Sequence, residues 1–279
     1  MRERIVLSEW KTWLVAVTLG LAAVPVAAGT LEDIRARGHL IVGVKADYAP
    51  LGFLDPQGRN AGVEVELARF IAGELLGDPT RIAFVPVVFK NRVDYLLSGK
   101  IDMILATMVP TPERLKIVDA SVPYLRPGGA TLMAPKGGPV TSWETTRGQT
   151  ICANESSYFI PTIESRFGAK IIEQVDAPHA YQTLADGHCA GYAQDEILVR
   201  LKVKEPAWSG YAIVGEPLQA NGHHIGVRKN DAAFLAALDR TILQAQAQGK
   251  MLDWERQYGM DPDAWSLEQV DAAAKRLAQ

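Results

Sequence analysis

The sequence runs twice through one alternation, in which a short and almost wholly apolar run is followed by a stretch whose apolar residues recur at helical spacing. In the first round Leu40-Ile41-Val42-Gly43-Val44 is such a run, and Val63, Leu67, Phe70, Ile71 and Leu75 then mark one helical face that stops near Gly77. A strand that is apolar on both faces needs cover on both faces, which parallel strands joined by helices provide. Residues 82–87 read as the second strand, 93–98 as a helix stopped by Gly99, and 101–106 as the third strand; Thr30 is placed to cap a short leading helix that ends at Gly38. The second round places strands at 150–153, 171–175 and 189–193 and helices at 158–166 and 178–185. Leu97-Ser98-Gly99-Lys100 before one third strand echoes Ala185-Asp186-Gly187-His188 before the other.

Two rounds imply two lobes. Pro123-Tyr124-Leu125-Arg126-Pro127-Gly128-Gly129 lies between them with the composition of a crossover. A further strand at 222–227 and helices at 231–249 and 251–258 are expected to return to the first lobe, which makes two crossovers and hence a hinge. The expected division is residues 29–125 with 221–279 for one lobe and 126–220 for the other.

The 279 residues carry 29 Lys+Arg against 32 Asp+Glu, a net charge of -3. That balance lacks the clustered basic face that nucleic acid requires. Arg2, Arg4 and Lys11 precede an uncharged run over residues 12–31 that ends in Pro25-Val26-Ala27-Ala28-Gly29, the layout of a secretory signal cleaved after Ala28. An uncleaved membrane anchor is the alternative, because the run approaches the length of a membrane span. Cys152 and Cys189 are the only cysteines. In an exported chain an even pair reads either as a disulfide or as two separately buried thiols.

Ligands of open parallel sheets sit beyond the carboxyl ends of the strands. Asp47-Tyr48-Ala49-Pro50 follows the first strand, Thr107-Met108-Val109 and Thr111-Pro112-Glu113-Arg114 the third, and Gln194-Asp195-Glu196 the last strand of the second lobe. A guanidinium from one lobe and a carboxylate from the other are thereby expected to face each other, as a zwitterionic amino acid requires.

Gly43 through Phe53, Gly62-Val63-Glu64-Val65-Glu66-Leu67-Ala68, Ser98 through Met108, Thr111-Pro112-Glu113-Arg114 and Ser121-Val122-Pro123-Tyr124 together closely resemble the polar amino-acid binding proteins of ABC transporters. The resemblance implies an α/β, two-lobed periplasmic binding protein type II fold, each lobe a mostly parallel sheet flanked by helices. It implies that Arg114 holds the ligand α-carboxylate and Asp195 the α-ammonium, that Thr107 hydrogen-bonds the ligand, that Tyr48 packs over it, and that Phe89 forms a side-chain wall. Arg92 lies where the acidic-amino-acid binders carry an arginine toward the ligand side chain, and some of those binders carry a disulfide resembling a Cys152–Cys189 pairing. Partners implied are the permease subunits of an ABC importer, with the protein acting as a periplasmic monomer without metal or cofactor.

The sequence departs from the family at Asn154-Glu155-Ser156-Ser157-Tyr158, where Gly-Thr-Thr is usual, at Val109, where many relatives carry a polar ligand contact, and at His224, where glycine is usual. Backbone donors around Ser157 and Tyr158 are therefore expected to serve the carboxylate, with Glu155 turned away or paired with a cation such as Arg126. Two other classes share the fold: a periplasmic dehydratase of the cyclohexadienyl type, for which Glu155 would be the general acid, and a ligand-sensing module. The adjacent His223 and His224 point to opposite strand faces and are not spaced for one metal; one exposed and one hydrogen-bonded imidazole is the expectation.

Overall fold

The computed structural model describes residues 29–279; the predicted signal segment lies outside them. The first passage along the chain builds α1 (Thr30–Arg37), β1 (Leu40–Val44), β2 (Asp47–Tyr48), β3 (Gly52–Leu54), β4 (Asn60–Ala61), α2 (Val63–Leu76), β5 (Ile82–Pro86), α3 (Arg92–Leu97), β6 (Met103–Met108) and β7 (Val118–Leu125). The second builds β8 (Ala130–Pro135), β9 (Thr150–Asn154), α4 (Ile160–Thr162), β10 (Lys170–Gln174), α5 (Ala177–Ala185), β11 (Gly191–Asp195), α6 (Glu196–Lys202) and β12 (Tyr211–Leu218). The chain closes with β13 (His223–Arg228), α7 (Ala232–Ala247), α8 (Lys250–Gln257) and α9 (Ala264–Leu277).

Two five-stranded sheets result, ordered β5-β1-β6-β13-β7 and β10-β9-β11-β8-β12. In each, one strand runs against the other four: β13 is antiparallel to both β6 and β7, and β8 to both β11 and β12. The reversed strands are those by which the chain arrives after passing from one sheet to the other, at 126–129 and at 219–222. Strands β7, β8 and β12 carry no strong apolar alternation and were not expected from the sequence. Pro123, read as part of the crossover, lies within β7, an edge strand on which its missing N–H costs little.

Buried side chains cover both faces of the first sheet, Leu40, Val42, Leu67, Ile71, Phe234 and Ile242 on one side and Leu96, Ile101, Ile104 and Val118 on the other. Four aspartates set helix starts: Asp176, Asp195, Asp231 and Asp263 accept from the backbone N–H of His179, Ile197, Phe234 and Ser266 at α5, α6, α7 and α9. Thr30 is not the cap of α1; Gly29 is, and the Thr30 N–H donates to Asp231 at 3.0 Å, tying the first helix to the last ones. The helix expected at 158–166 starts late, at Ile160, and widens to a π-helical turn over Ile163–Phe167. The preceding residues are instead spent on a tight turn in which Ser156 has φ 60° and the Ser157 N–H donates to Asn154.

Cys152 of β9 is bonded to Cys189, two residues before β11 rather than on it as expected, with 5.7 Å between their Cα atoms. The bridge closes a segment 37 residues apart in sequence. On loop-closure entropy it contributes about 3–4 kcal/mol. Replacing both cysteines with alanine is expected to lower the unfolding free energy of the second lobe by about that amount, checked by urea denaturation followed by fluorescence.

Glu255 of α8 is buried and accepts from the Ser266 hydroxyl of α9 at 3.0 Å. Burial pushes its carboxyl up to about 7. A carboxyl that binds its proton more tightly when folded gives stability at low pH that is lost as pH rises from the unfolded value of about 4.5 toward about 7. The pH-dependence of stability over that window is expected to differ between wild type and Glu255→Gln by up to about 3 kcal/mol; superimposable profiles from denaturation at several pH values would contradict this.

Candidate functional site

The carboxyl ends of four strands face one another across the gap between the sheets, and a small cavity lies there. From the first lobe it is lined by Tyr48 on β2, Phe89 before α3, Arg92 at the start of α3, Thr107 on β6 and Arg114 in the turn after it. From the second come Ser157, Tyr158 and Phe159 beyond β9, and Gln194 and Asp195 at the end of β11.

Positive charge dominates this space. Arg92 is 2% exposed, donates to the Ala106 carbonyl, and lies over the Phe89 ring at 4.6 Å. Burial, and next the neighbouring Arg114 charge, pull its guanidinium down to about 9. Arg114 donates to the Val109 carbonyl at 2.9 Å and, across the lobes, to the Ser156 carbonyl at 3.3 Å; burial lowers its pKa as well. The buried Lys45 also lies over Phe89, with its ammonium 4.9 Å from the ring and 3.0 Å from Asp47. Burial depresses the Lys45 pKa, against the pull of Asp47. A guanidinium taken out of water without a carboxylate costs several kcal/mol, which an incoming anion offsets.

Unpartnered polar atoms collect at the same place. Among the described residues the buried side-chain atoms without a hydrogen bond include Arg92 Nε, Thr107 Oγ1 and Ser157 Oγ, all on cavity-lining residues. Thr107 has φ 49°, a left-handed conformation uncommon for a β-branched residue. The buried Glu64 holds it there by accepting from the Thr107 N–H at 2.7 Å and from the Tyr124 hydroxyl. Burial raises the Glu64 pKa against those two bonds. Strain and unmet donors at one cavity are the marks of a binding site.

The lobes meet around this cavity. Tyr48 donates to Gln194, whose amide donates to Tyr192, whose hydroxyl in turn donates to Asn154 at 2.8 Å. Asp47 accepts from the Ala177 N–H at 3.2 Å, and Lys90 pairs with Glu155 at 3.0 Å. Asp195 accepts at Oδ1 from the Ile197 N–H at 3.2 Å, capping α6, while its Oδ2 lies 2.7 Å from His223 Nε2 of the first lobe.

The profile of the bacterial extracellular solute-binding proteins, family 3, matches residues 40–261. The chain belongs to that family. This solute-binding protein is 26% identical over 250 residues to a glutamate/aspartate import solute-binding protein of Salmonella typhimurium, covering 85% of this chain and 82% of the relative. It is 28% identical over 224 residues to an ABC transporter glutamine-binding protein of Bacillus subtilis, covering 79% and 81%. Its fold superposes on a cysteine-binding protein of Campylobacter jejuni with a TM-score of 0.80, 25% identity, and coverage of 86% and 98%.

Eight of the nine ligand contacts expected of this solute-binding protein line the cavity: Tyr48, Phe89, Arg92, Thr107, Arg114, Ser157, Tyr158 and Asp195. Val109 does not. Its side chain is buried away from the cavity, and its carbonyl anchors Arg114 instead. Glu155 is turned away as expected, but its partner is Lys90; Arg126 is taken by Glu196 and by Asp263 at 3.0 Å. Glu155, the candidate general acid of the dehydratase alternative, is not among the cavity-lining residues. Neither histidine matches the expectation of an exposed ring, because His223 is buried against Asp195 and His224 is half-buried on the Ser121 carbonyl. Phe159, Gln194 and Lys45 were missed. Gln194 and Lys45 sit at strand ends, which is a usable signal, whereas Phe159 carries none.

The unpaired burial of Arg92 gives a prediction. Arg92→Met is expected to make the ligand-free solute-binding protein more stable by about 1–4 kcal/mol in urea denaturation, and to reduce the stabilisation gained from ligand; a less stable variant would refute the account.

Proposed function

We propose that this protein captures an amino acid with an anionic side chain, glutamate or aspartate by preference, between its two lobes and delivers it to the permease subunits of an ABC importer. The observation that carries the reading is the presence in one cavity of two guanidiniums, the buried Arg92 and the half-buried Arg114, with Asp195 lining it from the other lobe. Arg114 takes the α-carboxylate together with backbone donors around Ser157 and Tyr158; Asp195 takes the α-ammonium; Thr107 adds its hydroxyl. Arg92 receives the side-chain carboxylate, with Tyr48 and Phe89 as the apolar walls. The likeness to a glutamate/aspartate import protein supports the acidic preference.

Closure is a population shift: residues 29–125 with 221–279 form one body, residues 126–220 the other, and a ligand that touches both lobes favours the form in which they meet. The protein is read as a periplasmic monomer exported through the segment 1–28, and the cycle consists of binding and release without a chemical step.

A panel of the twenty amino acids scored by thermal shift tests the reading, because a ligand stabilises by RT ln(1 + [L]/Kd). Glutamate and aspartate are expected to give the largest shifts, glutamine less. Arg114→Ala is expected to weaken binding by about 3–5 kcal/mol, since it leaves a buried carboxylate unpaired. Unchanged calorimetric affinity in that variant, or a panel without response, would refute the assignment.

A further inference from the structure

Asp195 is the single carboxylate among the residues lining the cavity, and it is not free. Its Oδ1 caps α6 through the Ile197 N–H, and its Oδ2 meets the imidazole of His223, which is 1% exposed. His223 is the first residue of β13, directly after the second crossover, so this contact joins the lobes beside the hinge. The other crossover packs close by, since a Cβ on Gly128 would lie 3.4 Å from Asp195 Oδ1.

The groups facing the imidazole come from every element around it. They are Asp195 from β11, Glu64 from α2, Arg92 from α3, the Tyr124 ring of β7 at 6.3 Å, and the adjacent His224. Burial and Arg92 disfavour an imidazolium there, but Asp195 and Glu64 outweigh them, so His223 holds its proton more tightly than an ordinary histidine. An amino acid then brings a second cation to a carboxylate that already has one, in a cavity containing two guanidiniums.

We propose that His223 is a specificity-determining residue of the ligand site, whose imidazolium competes with the ligand's ammonium group for the Asp195 carboxylate, so that capture of an amino acid expels one proton. The inference rests on the amino-acid reading given above. In the step, His223 loses the proton on one ring nitrogen to solvent, the ligand ammonium takes the Asp195 charge, and the neutral ring keeps one N–H for Oδ2; no bond other than that N–H breaks. A ligand with the same carboxylates and no ammonium leaves the imidazolium pair intact. Binding that releases a proton strengthens as pH rises. Affinity for the amino acid therefore gains up to about tenfold per pH unit while His223 remains protonated, whereas the desamino analogue shows no such gain.

The test is calorimetric titration of wild-type protein at about pH 6.5, the ordinary histidine midpoint, in two buffers of different ionisation enthalpy, with glutamate and with glutarate. Expected is release of up to one proton with glutamate and none with glutarate. In His223→Gln, glutamate binding is expected to release no proton. The wild-type comparison of the two ligands stands even if that variant does not fold. Glutamate binding without proton release, equal release with glutarate, or undiminished release from His223→Gln would each overturn the inference and leave the amino-acid reading standing. Failure of every amino acid to bind would remove that reading and this inference together.

Discussion

The reversed strands β8 and β13 are the constraint on which the rest of the molecule depends. Each lies between two strands of opposite direction, so the chain cannot pass from one sheet to the other without committing a strand to the interior of the sheet it reaches. The two passages are thereby pinned at their far ends, and the four remaining strands of each sheet keep a common direction. Their carboxyl ends point into the shared gap, and those ends and the segments that follow them deliver Tyr48, Thr107, Ser157 and Asp195 to one cavity. No single element supplies the site; the crossing of the chain does.

Within that frame, charge is arranged at a cost. Lys45 and Arg92 are withdrawn from water against Phe89 and Arg114 is partly so nearby, with one carboxylate on the cavity wall and the buried Glu64 engaged by Thr107 and Tyr124. Cation–π contact recovers a part of the lost hydration, on the order of 1–2 kcal/mol per pair at buried sites. The remainder is available to an anion that enters, which is how binding energy is stored in a protein before its ligand arrives.

Most of the scaffold was legible because it rests on local rules. Leu40 to Val44 had to be a strand buried on both faces, and the helical spacing of Val63 to Leu75 ended where Gly77 adopts φ 74°. Thr107, Arg114 and Asp195 were legible from their places after strand ends. What escaped depends on contacts distant in sequence: β7, β8 and β12 owe their strand character to partners in the sheet, and the bond between His223 and Asp195 spans 28 residues and two lobes. The burial of Arg92 was equally hidden, since a helix-start arginine is ordinarily solvated and the packing of α3 against β1, β6 and β13 that encloses it is not local in sequence. Val109 is not among the cavity-lining residues, and its backbone carbonyl accepts from Arg114.

The bridge between Cys152 and Cys189 ties β9 to the stretch that enters β11, and so joins the turn bearing Ser157 and Tyr158 to the strand bearing Asp195. The two sides of the cleft therefore differ in rigidity by construction. On the bridged side, little conformational entropy remains to be surrendered when a ligand docks, and affinity gained there comes from preorganisation. Adjustment to ligands of different length falls to the unbridged side, where the wall is made of aromatic rings and long cationic side chains.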